Sequence, residues 1–317
     1  MKKLTLNETA AFLLKNDNYA ILSHRRPDGD TLGSTAALCH ILRHMGKTAH
    51  IVENPEITDR FRWLHEGLTK PEAAETDTLI TVDVASPQML PKKFEAYLGR
   101  IALRIDHHAS STSFTDCELV LPEQAACAEI IADLLEPLNY GVMEQALADA
   151  LYVGISTDTG CFRFANTTSH TFAVAAACAG AGARVYALNQ ELFETNTLGR
   201  LKIQSWIVEH MELLPGGLAL VAIPRAVEEA LGVTEDDMDN ISSFPRTVSG
   251  VKLAATLRET REGDVKLSVR AIPGWDCTRL AGIFGGGGHK GAAGATLKLP
   301  LPAAARAVEE AMLAFEM

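Results

Sequence analysis

The chain has 317 residues, of which 47% are hydrophobic and 22% charged, and its net charge is −11. At ~150 residues per domain, this is an ordinary soluble globular protein with material for two cores. With acid in excess and no block of Lys or Arg, a long electrostatic track for polymeric nucleic acid is not expected. A small anionic substrate gripped by a few local cations remains open.

Two N-terminal lysines precede only a short apolar stretch, AAFLL, flanked by polar residues, so a secretory leader is not indicated. Thr5 and Glu8 have instead the spacing of a capping box for a first helix. From residue 19 to about 115, strand and helix patterns alternate. YAILSH reads as a strand, TLGSTAALCHILRHMG as a helix closed by Gly46, and TAHIVEN as a strand. FRWLHEGL suggests a short helix, TLITVDV a strand, PQMLPKKFEAYLG a helix and RIALRIDHH a strand. Such alternation means βαβ units and a parallel sheet covered by helices. Residues 124–138, 143–157 and 168–180 then read as helices, and 183–213 carries helical spacing with no strand signal. After PGG at 215–217, strands LALVAI, VKLAATLRE, VKLSVRAI and GATLKL alternate with helices near 225–231, 276–284 and 301–315. The expected class is α/β: a parallel-sheet domain with helices on both faces over 1–185, a helical connector over 186–214, and a smaller α+β domain over 215–317.

No apolar run approaches the ~18 residues a membrane helix requires. The six cysteines (39, 117, 127, 161, 178 and 277) form no C-x-x-C pair. They read as small buried hydrophobes in a reducing cytoplasm.

Four short segments carry metal-type ligands: His24, Asp28 and Asp30 in SHRRPDGD, Asp83 in ITVDVAS, Asp106-His107-His108 in LRIDHHAS, and Asp158 in GISTDTG. The first three follow apolar β-favouring runs, and ligands in open α/β sheets collect at the carboxyl ends of strands. Asp158 is expected from a helix end. Each segment alone has a plain structural reading. Pro27 puts His24 to Asp28 in a turn, Asp30 is placed to cap the next helix without any metal, Asp83 suits a strand-end turn, and the DHH run suits a surface loop. Their joint occurrence changes the odds. Four carboxylates converging with two imidazoles repel one another unless cations sit between them, which is the make-up of a two-metal hydrolase site.

These motifs, HRRPDGD, VDVAS, IDHH and ISTDTGCFRF in that order, resemble the DHH phosphoesterase superfamily, and FGGGGHKGAAG resembles the signature of its DHHA1 substrate-binding domain. The resemblance covers essentially the whole chain. It implies that His24, Asp28 and Asp83 hold one metal and that Asp30, Asp83, His107 and Asp158 hold the other, with Asp83 the bridge. Asp83, His107 and His108 are the implied catalytic set, with Asp106 orienting a histidine and His108 facing substrate phosphate. Hard oxygen ligands mixed with imidazole suit Mn²⁺, whereas structural zinc favours thiolates. Four aspartates balance two divalent ions, so an anionic substrate needs positive charge from elsewhere.

The expected source is Gly285 to Lys290. A glycine run is commonly a linker, but this one lies between a helix pattern and a strand, where glycines let backbone N–H groups approach an anion. The resemblance assigns Gly286, Gly287, Gly288 and His289 to substrate recognition. Arg270 matches the arginine before this loop, able to pair with phosphate in bidentate fashion. Lys290, Arg246 and Arg200 stay open. Within the superfamily, a stand-alone DHH–DHHA1 chain of this length is most similar to the bifunctional nanoRNases. The implied substrates are short oligoribonucleotides of about two to five nucleotides and 3′,5′-bisphosphonucleosides such as pAp. Neither a long polymer nor a membrane is an expected partner, and a homodimer is left open. Two alternatives stand beside this reading: a phosphodiesterase devoted to linear or cyclic dinucleotides, and a non-catalytic nucleotide-binding regulator.

Overall fold

Thr5 caps the first helix as its spacing demands: its Oγ1 accepts the Glu8 N–H at 3.2 Å, and Glu8 Oε2 accepts the Thr5 N–H at 3.0 Å. The computed structural model describes residues 2–109, 112–238 and 240–314. The chain divides into two units, Met1–Thr195 and Asn196–Met317.

In the first unit the order is β1 (Lys2–Lys3), α1 (Leu6–Lys15), β2 (Tyr19–Leu22), α2 (Gly29–His44), β3 (Ala49–Val52), β4 (Thr69–Lys70) and β5 (Thr78–Val82). There follow β6 (Ile101–Asp106), β7 (Cys117–Val120), α3 (Cys127–Asp133), α4 (Gln145–Asp158), α5 (Ser169–Gly180) and α6 (Val185–Asn189). All seven strands are parallel, in the order β1-β7-β6-β5-β2-β3-β4. The chain builds outward from β2 through β3 to β4, then from β5 through β6 to β7 on the other side. The reversal falls between β2 and β5, and in such sheets the crevice at that point is where ligands bind.

Alternation along the strands divides the core. Tyr19, Ile21, Ile51, Ile80, Val82, Leu103 and Ile105 face the α-helices in the larger cluster. Ala20, Leu22, Val52, Leu79 and Ile101 face Leu90, Phe94 and Tyr97 on the opposite side. That second face is covered by 3₁₀ turns, Pro87–Met89 and Lys92–Tyr97, where the sequence led us to expect one helix. Pro91 supplies no N–H and fixes its own φ, so no α-helix runs through it. The expected helix at FRWLHEGL is likewise a 3₁₀ segment, Asp59–His65. Edge strands β1 and β4, two residues each, are too short to carry a periodic signal.

The second unit contains α7 (Leu198–His210), β8 (Glu212–Leu214), β9 (Leu218–Ile223), α8 (Arg225–Leu231), β10 (Leu253–Glu259), β11 (Val265–Ala271), α9 (Cys277–Ile283), β12 (Gly287–His289), β13 (Ala292–Leu297) and α10 (Leu301–Leu313). The expected end of the last helix at 315 lies outside the described residues. These strands form a mixed sheet, β12-β13-β11-β10-β9-β8, whose only parallel pair among the described residues is β9 with β10. Helices α9 and α10 bury one face through Leu280, Ala304, Val308 and Met312 against Leu253, Leu257, Leu267 and Val269. Within the stretch expected to be purely helical, residues 190–194 form a π-turn and Glu212–Leu214 a strand. β8 exists because Pro215, Gly216 and Gly217 close a hairpin onto β9, a turn signal stronger than the helical spacing before it.

Candidate metal centre

Three of the four ligand segments leave the sheet at its switch point. His24 lies two residues beyond β2, Asp83 follows β5 directly, and Asp106 ends β6. Asp83 sits at φ 60, a left-handed backbone that Asp adopts more readily than most residues, and its N–H is held by Ile105 O at 2.9 Å. The turn lifts its carboxylate out of the strand direction into the crevice.

Asp28, not Asp30 as expected, caps α2. Its Oδ1 accepts the N–H groups of Asp30 and Thr31, both at 3.1 Å. The turn forced by Pro27 ends two residues earlier than the sequence suggested, so Asp30 lies inside the first helical turn and points inward. There it is 1% exposed: Oδ1 accepts from Ser34 Oγ at 3.1 Å and Ala128 N at 3.0 Å, and Oδ2 from Cys127 N at 2.6 Å. Asp158 is the last residue of α4, the helix end foreseen for it. Glycine brings the two helices together. A Cβ on Gly33 would stand 2.4 Å from Ala150 O, and one on Gly154 would stand 2.8 Å from Asp30 Oδ1.

All six expected ligands converge. His24 Nε2 lies 3.7 Å from Asp28 Oδ1 and 3.6 Å from Asp83 Oδ2. His107 Nε2 lies 3.8 Å from Asp30 Oδ2, 3.5 Å from Asp83 Oδ1 and 3.5 Å from Asp158 Oδ2. These spacings are too long for hydrogen bonds. They are close to the roughly 3.0–3.6 Å expected between neighbouring ligands that each stand ~2.0–2.2 Å from a shared ion. Two triples have the reach of a metal site, His24-Asp28-Asp83 and Asp30-His107-Asp158, and Asp83 turns one oxygen to each. A third triple, Asp83-His107-His108, uses His108 through Nδ1, 2.8 Å from Asp106 Oδ1 and thus already committed as a donor.

The histidines are oriented for this work. His24 Nδ1 lies 2.7 Å from Arg25 O, and His107 Nδ1 lies 3.2 Å from Gln124 O. Each is fixed by donating Nδ1–H to a carbonyl, which leaves Nε2 as the free lone pair. Asp83 is 2% exposed, and its Oδ1 is buried without a hydrogen-bond partner. An orphaned carboxylate oxygen between two imidazoles fits a cation. In the bare protein, protons take that role. Burial, then the Asp83 charge, pushes the Asp30 carboxyl up to about 7, a displacement on the order of 4 kcal/mol. Asp158 is also pushed up, by loss of solvent and then by Asp30 and Asp28. Burial works against the His107 cation, yet Asp30, Asp83 and Asp158 overcome it and hold its pKa at about 9. For His108, burial is outweighed by Asp106 and Asp83, and its pKa is raised.

In the second unit, the glycine run is an edge strand, not the open loop expected. Gly287, Gly288 and His289 pair antiparallel with Gly294, Ala293 and Ala292. A Cβ on Gly286 would stand 2.1 Å from Gly294 O, so glycine there permits close strand approach, while Gly285 and Gly287 meet nothing within 4 Å. Arg270 pairs with Ala292 from the other side. Residues directly opposite in an antiparallel sheet share a face, so Arg270, Ala292 and His289 form one row, with a methyl floor between a guanidinium and an imidazole. Arg270 is half-buried and His289 exposed. Burial, followed by nearby Arg246, lowers the Arg270 pKa. Arg200 bonds the Asp237 carbonyl at 3.1 Å, and the Lys290 carbonyl accepts Cys277 N–H at 2.8 Å; both contacts secure structure.

The fold is that of a phosphoesterase family. Residues 18–155 match the DHH family N-terminal domain and residues 222–315 the DHHA1 domain, and the chain belongs to this DHH/DHHA1 superfamily. It is 36% identical over 284 residues to the bifunctional oligoribonuclease and PAP phosphatase NrnA of Thermus thermophilus, a match covering 88% of this chain and 83% of that one. The protein of that name in Bacillus subtilis is 27% identical over 286 residues, covering 89% and 90%. Among solved structures, an exopolyphosphatase-related protein from Bacteroides fragilis superimposes with a TM-score of 0.89 at 21% identity, covering 98% and 95%. A manganese-bound exonuclease RecJ gives 0.53 at 17% identity, covering 100% and 96%.

Proposed function

We propose that this protein is a two-metal phosphoesterase that hydrolyses short oligoribonucleotides to mononucleotides and removes the 3′-phosphate of pAp, with Mn²⁺ as its metal. One observation carries the reading: Asp83 directs its two oxygens to two separate ligand groups, 3.6 Å from His24 Nε2 and 3.5 Å from His107 Nε2. A carboxylate so placed could serve two ions at once. His24, Asp28 and Asp83 would hold one, and Asp30, Asp83, His107 and Asp158 the other. When bound, the two ions supply Lewis-acid polarisation of the scissile phosphate. His108, with Nδ1 held by Asp106, turns its other ring nitrogen, Nε2, to a phosphate oxygen of the substrate. In the second unit, Arg270 through its guanidinium and His289 through a ring N–H are the groups suited to a phosphate or sugar edge of a substrate. The likeness to the Thermus and Bacillus proteins supports the substrate class. Free cysteines at all six positions accord with a reducing cytoplasm. Among the described residues no helix is long and apolar enough to cross a membrane.

The test is a substrate panel with added Mn²⁺: pAp, pyrophosphate, RNA of two to five nucleotides, and RNA of about twenty. The acidic chain favours the small substrates, since polymer binding draws on many cationic contacts. Turnover of pAp and the short RNAs alone is the expected result; equal turnover of the long RNA, or of none, contradicts it.

A further inference from the structure

Beside the ligand cluster stands a buried cation that the chemistry above does not use. Arg104, on β6, is 1% exposed, and its register partner on β7 is Glu118, 3% exposed. Arg104 Nη2 donates to Glu118 Oε2 at 2.7 Å, and Ser113 Oγ donates to both Glu118 oxygens at 3.2 and 3.0 Å. The guanidinium also donates through Nη1 to Ala85 O at 3.1 Å and to Thr112 O at 3.2 Å, and it lies over the Phe114 ring at 5.4 Å. Thr112 N–H donates to the same Ala85 carbonyl at 2.8 Å. Thus one fork joins the turn that follows Asp83 to the segment that follows His108. A neutral side chain of similar size cannot do this, and a lysine lacks the planar fork.

The same guanidinium faces Asp106, two residues along β6 and on the same face of the sheet. Arg104 Nη1 is 3.7 Å from Asp106 Oδ2, an atom that is fully buried and accepts no hydrogen bond. The opposite oxygen, Oδ1, accepts from His107 N at 2.9 Å, His108 N at 3.3 Å and His108 Nδ1 at 2.8 Å. A carboxylate with one oxygen loaded by three donors and the other facing only a cation is held in a single orientation. Because Nδ1 of His108 is the ring atom it grips, Nε2 is carried on the far side of the ring.

We infer that Arg104 is a positioning residue, which fixes the aim of His108 through Asp106 and keeps the Asp83 and His108 segments in register. The inference rests on the hydrolase reading proposed above, in which His108 meets substrate phosphate. Arg104→Met together with Glu118→Gln removes both charges of the ion pair at once, so Glu118 is not left unpaired, while Asp106 loses the cation facing its Oδ2. Asp106→Asn, of the same shape, cuts the link while leaving the ion pair intact and serves as an independent second arm. Each is measured alone and combined with His108→Ala, reading kcat and KM on a dinucleotide at saturating Mn²⁺. Loss of an orienting partner lowers kcat by about 10- to 100-fold. KM changes less than kcat, because of the substrate contacts only the one through His108 is disturbed. In the His108→Ala background, either change lowers kcat by no more than a further ~2-fold, since both act through that one group. Losses that multiply, or wild-type kcat in either arm, overturn the positioning role while leaving the hydrolase reading intact. Wild-type protein with no metal-dependent hydrolysis overturns both.

Discussion

The ligand cluster of the first unit and the arginine–histidine row of the second handle charge in opposite ways. Around Asp83 the innermost charged groups are sealed: His24 is 6% exposed, Asp30 1% and Asp83 2%, while Asp28 at the rim is exposed. Their positions are fixed by backbone partners before any substrate arrives. Arg270 and His289 stand on a strand face, half-buried and exposed, with only Ala292 between them. Sealed charge must be neutralised from within, by protons or metal ions, and small displacements there are costly. Open charge is already satisfied by water and gains from a ligand only the difference. A change in the cluster should therefore remove chemistry, and a change in the row should weaken binding.

The largest effect tests the first half of that contrast. Asp83→Asn keeps the size and the tolerance of a left-handed backbone but can no longer serve two ions. We expect kcat to fall roughly 1,000-fold or more, as loss of several kcal/mol of charge stabilisation implies. The metal-free variant should melt no lower than wild type, since one of four crowded carboxylates has gone. Wild-type kcat would remove Asp83 from the centre.

Arg270→Ala and His289→Ala should each cost about 10- to 100-fold in kcat/KM for pAp and dinucleotides, matching the ~1.5–3 kcal/mol of a hydrogen bond to a charged group. Mn²⁺ affinity, read by calorimetry, should not change in either. A loss of metal affinity would erase the distinction between the two regions.

A smaller effect appears as pH is varied. Asp30 at about 7 and His107 at about 9 hold protons that metal must displace. Mn²⁺ affinity should thus rise from pH 6 to 9, by up to ~10-fold per unit for each proton released. The sign for the metal-free fold is opposite. Both groups have raised values, so the stability they contribute is present at low pH and is lost as pH climbs through about 7 for Asp30 and about 9 for His107. The metal-free protein should melt lower at pH 9 than at pH 6. A flat profile in both measurements would contradict the proton-filled cluster.

Least in size, Gly154→Ala places a methyl 2.5 Å from Ala128 Cβ and 2.8 Å from Asp30 Oδ1. Overpacking of that kind costs ~1–3 kcal/mol. The melting temperature and Mn²⁺ affinity should drop together, because the same contact holds α2, α3 and α4 around Asp30.

The two regions also differed in how far the sequence revealed them. His24, Asp83 and His107 were legible because each follows an apolar β-favouring run, and a parallel sheet delivers whatever follows its strands to one place. Asp158 was legible as a helix end. The cap at α2 was assigned to Asp30 instead of Asp28, because propensity places a cap only to within a residue or two; the tertiary bonds from Cys127 and Ala128 draw Asp30 inward. Arg104 was passed over, since its partners Ala85, Thr112 and Glu118 are far apart in sequence and the cross-strand register is what joins them. The glycine run reads as an anion-binding loop because it lies between a helix pattern and a strand. Its pairing with β13 depends on backbone approach that no local pattern records.

Metal stoichiometry tests the central claim most directly. Chain stripped by chelation and then dialysed against Mn²⁺ should retain two ions per chain, and pAp hydrolysis, absent after stripping, should return with them. Full hydrolysis after exhaustive chelation, or saturation at a single ion in an active protein, would contradict a centre built on a carboxylate shared between two metals.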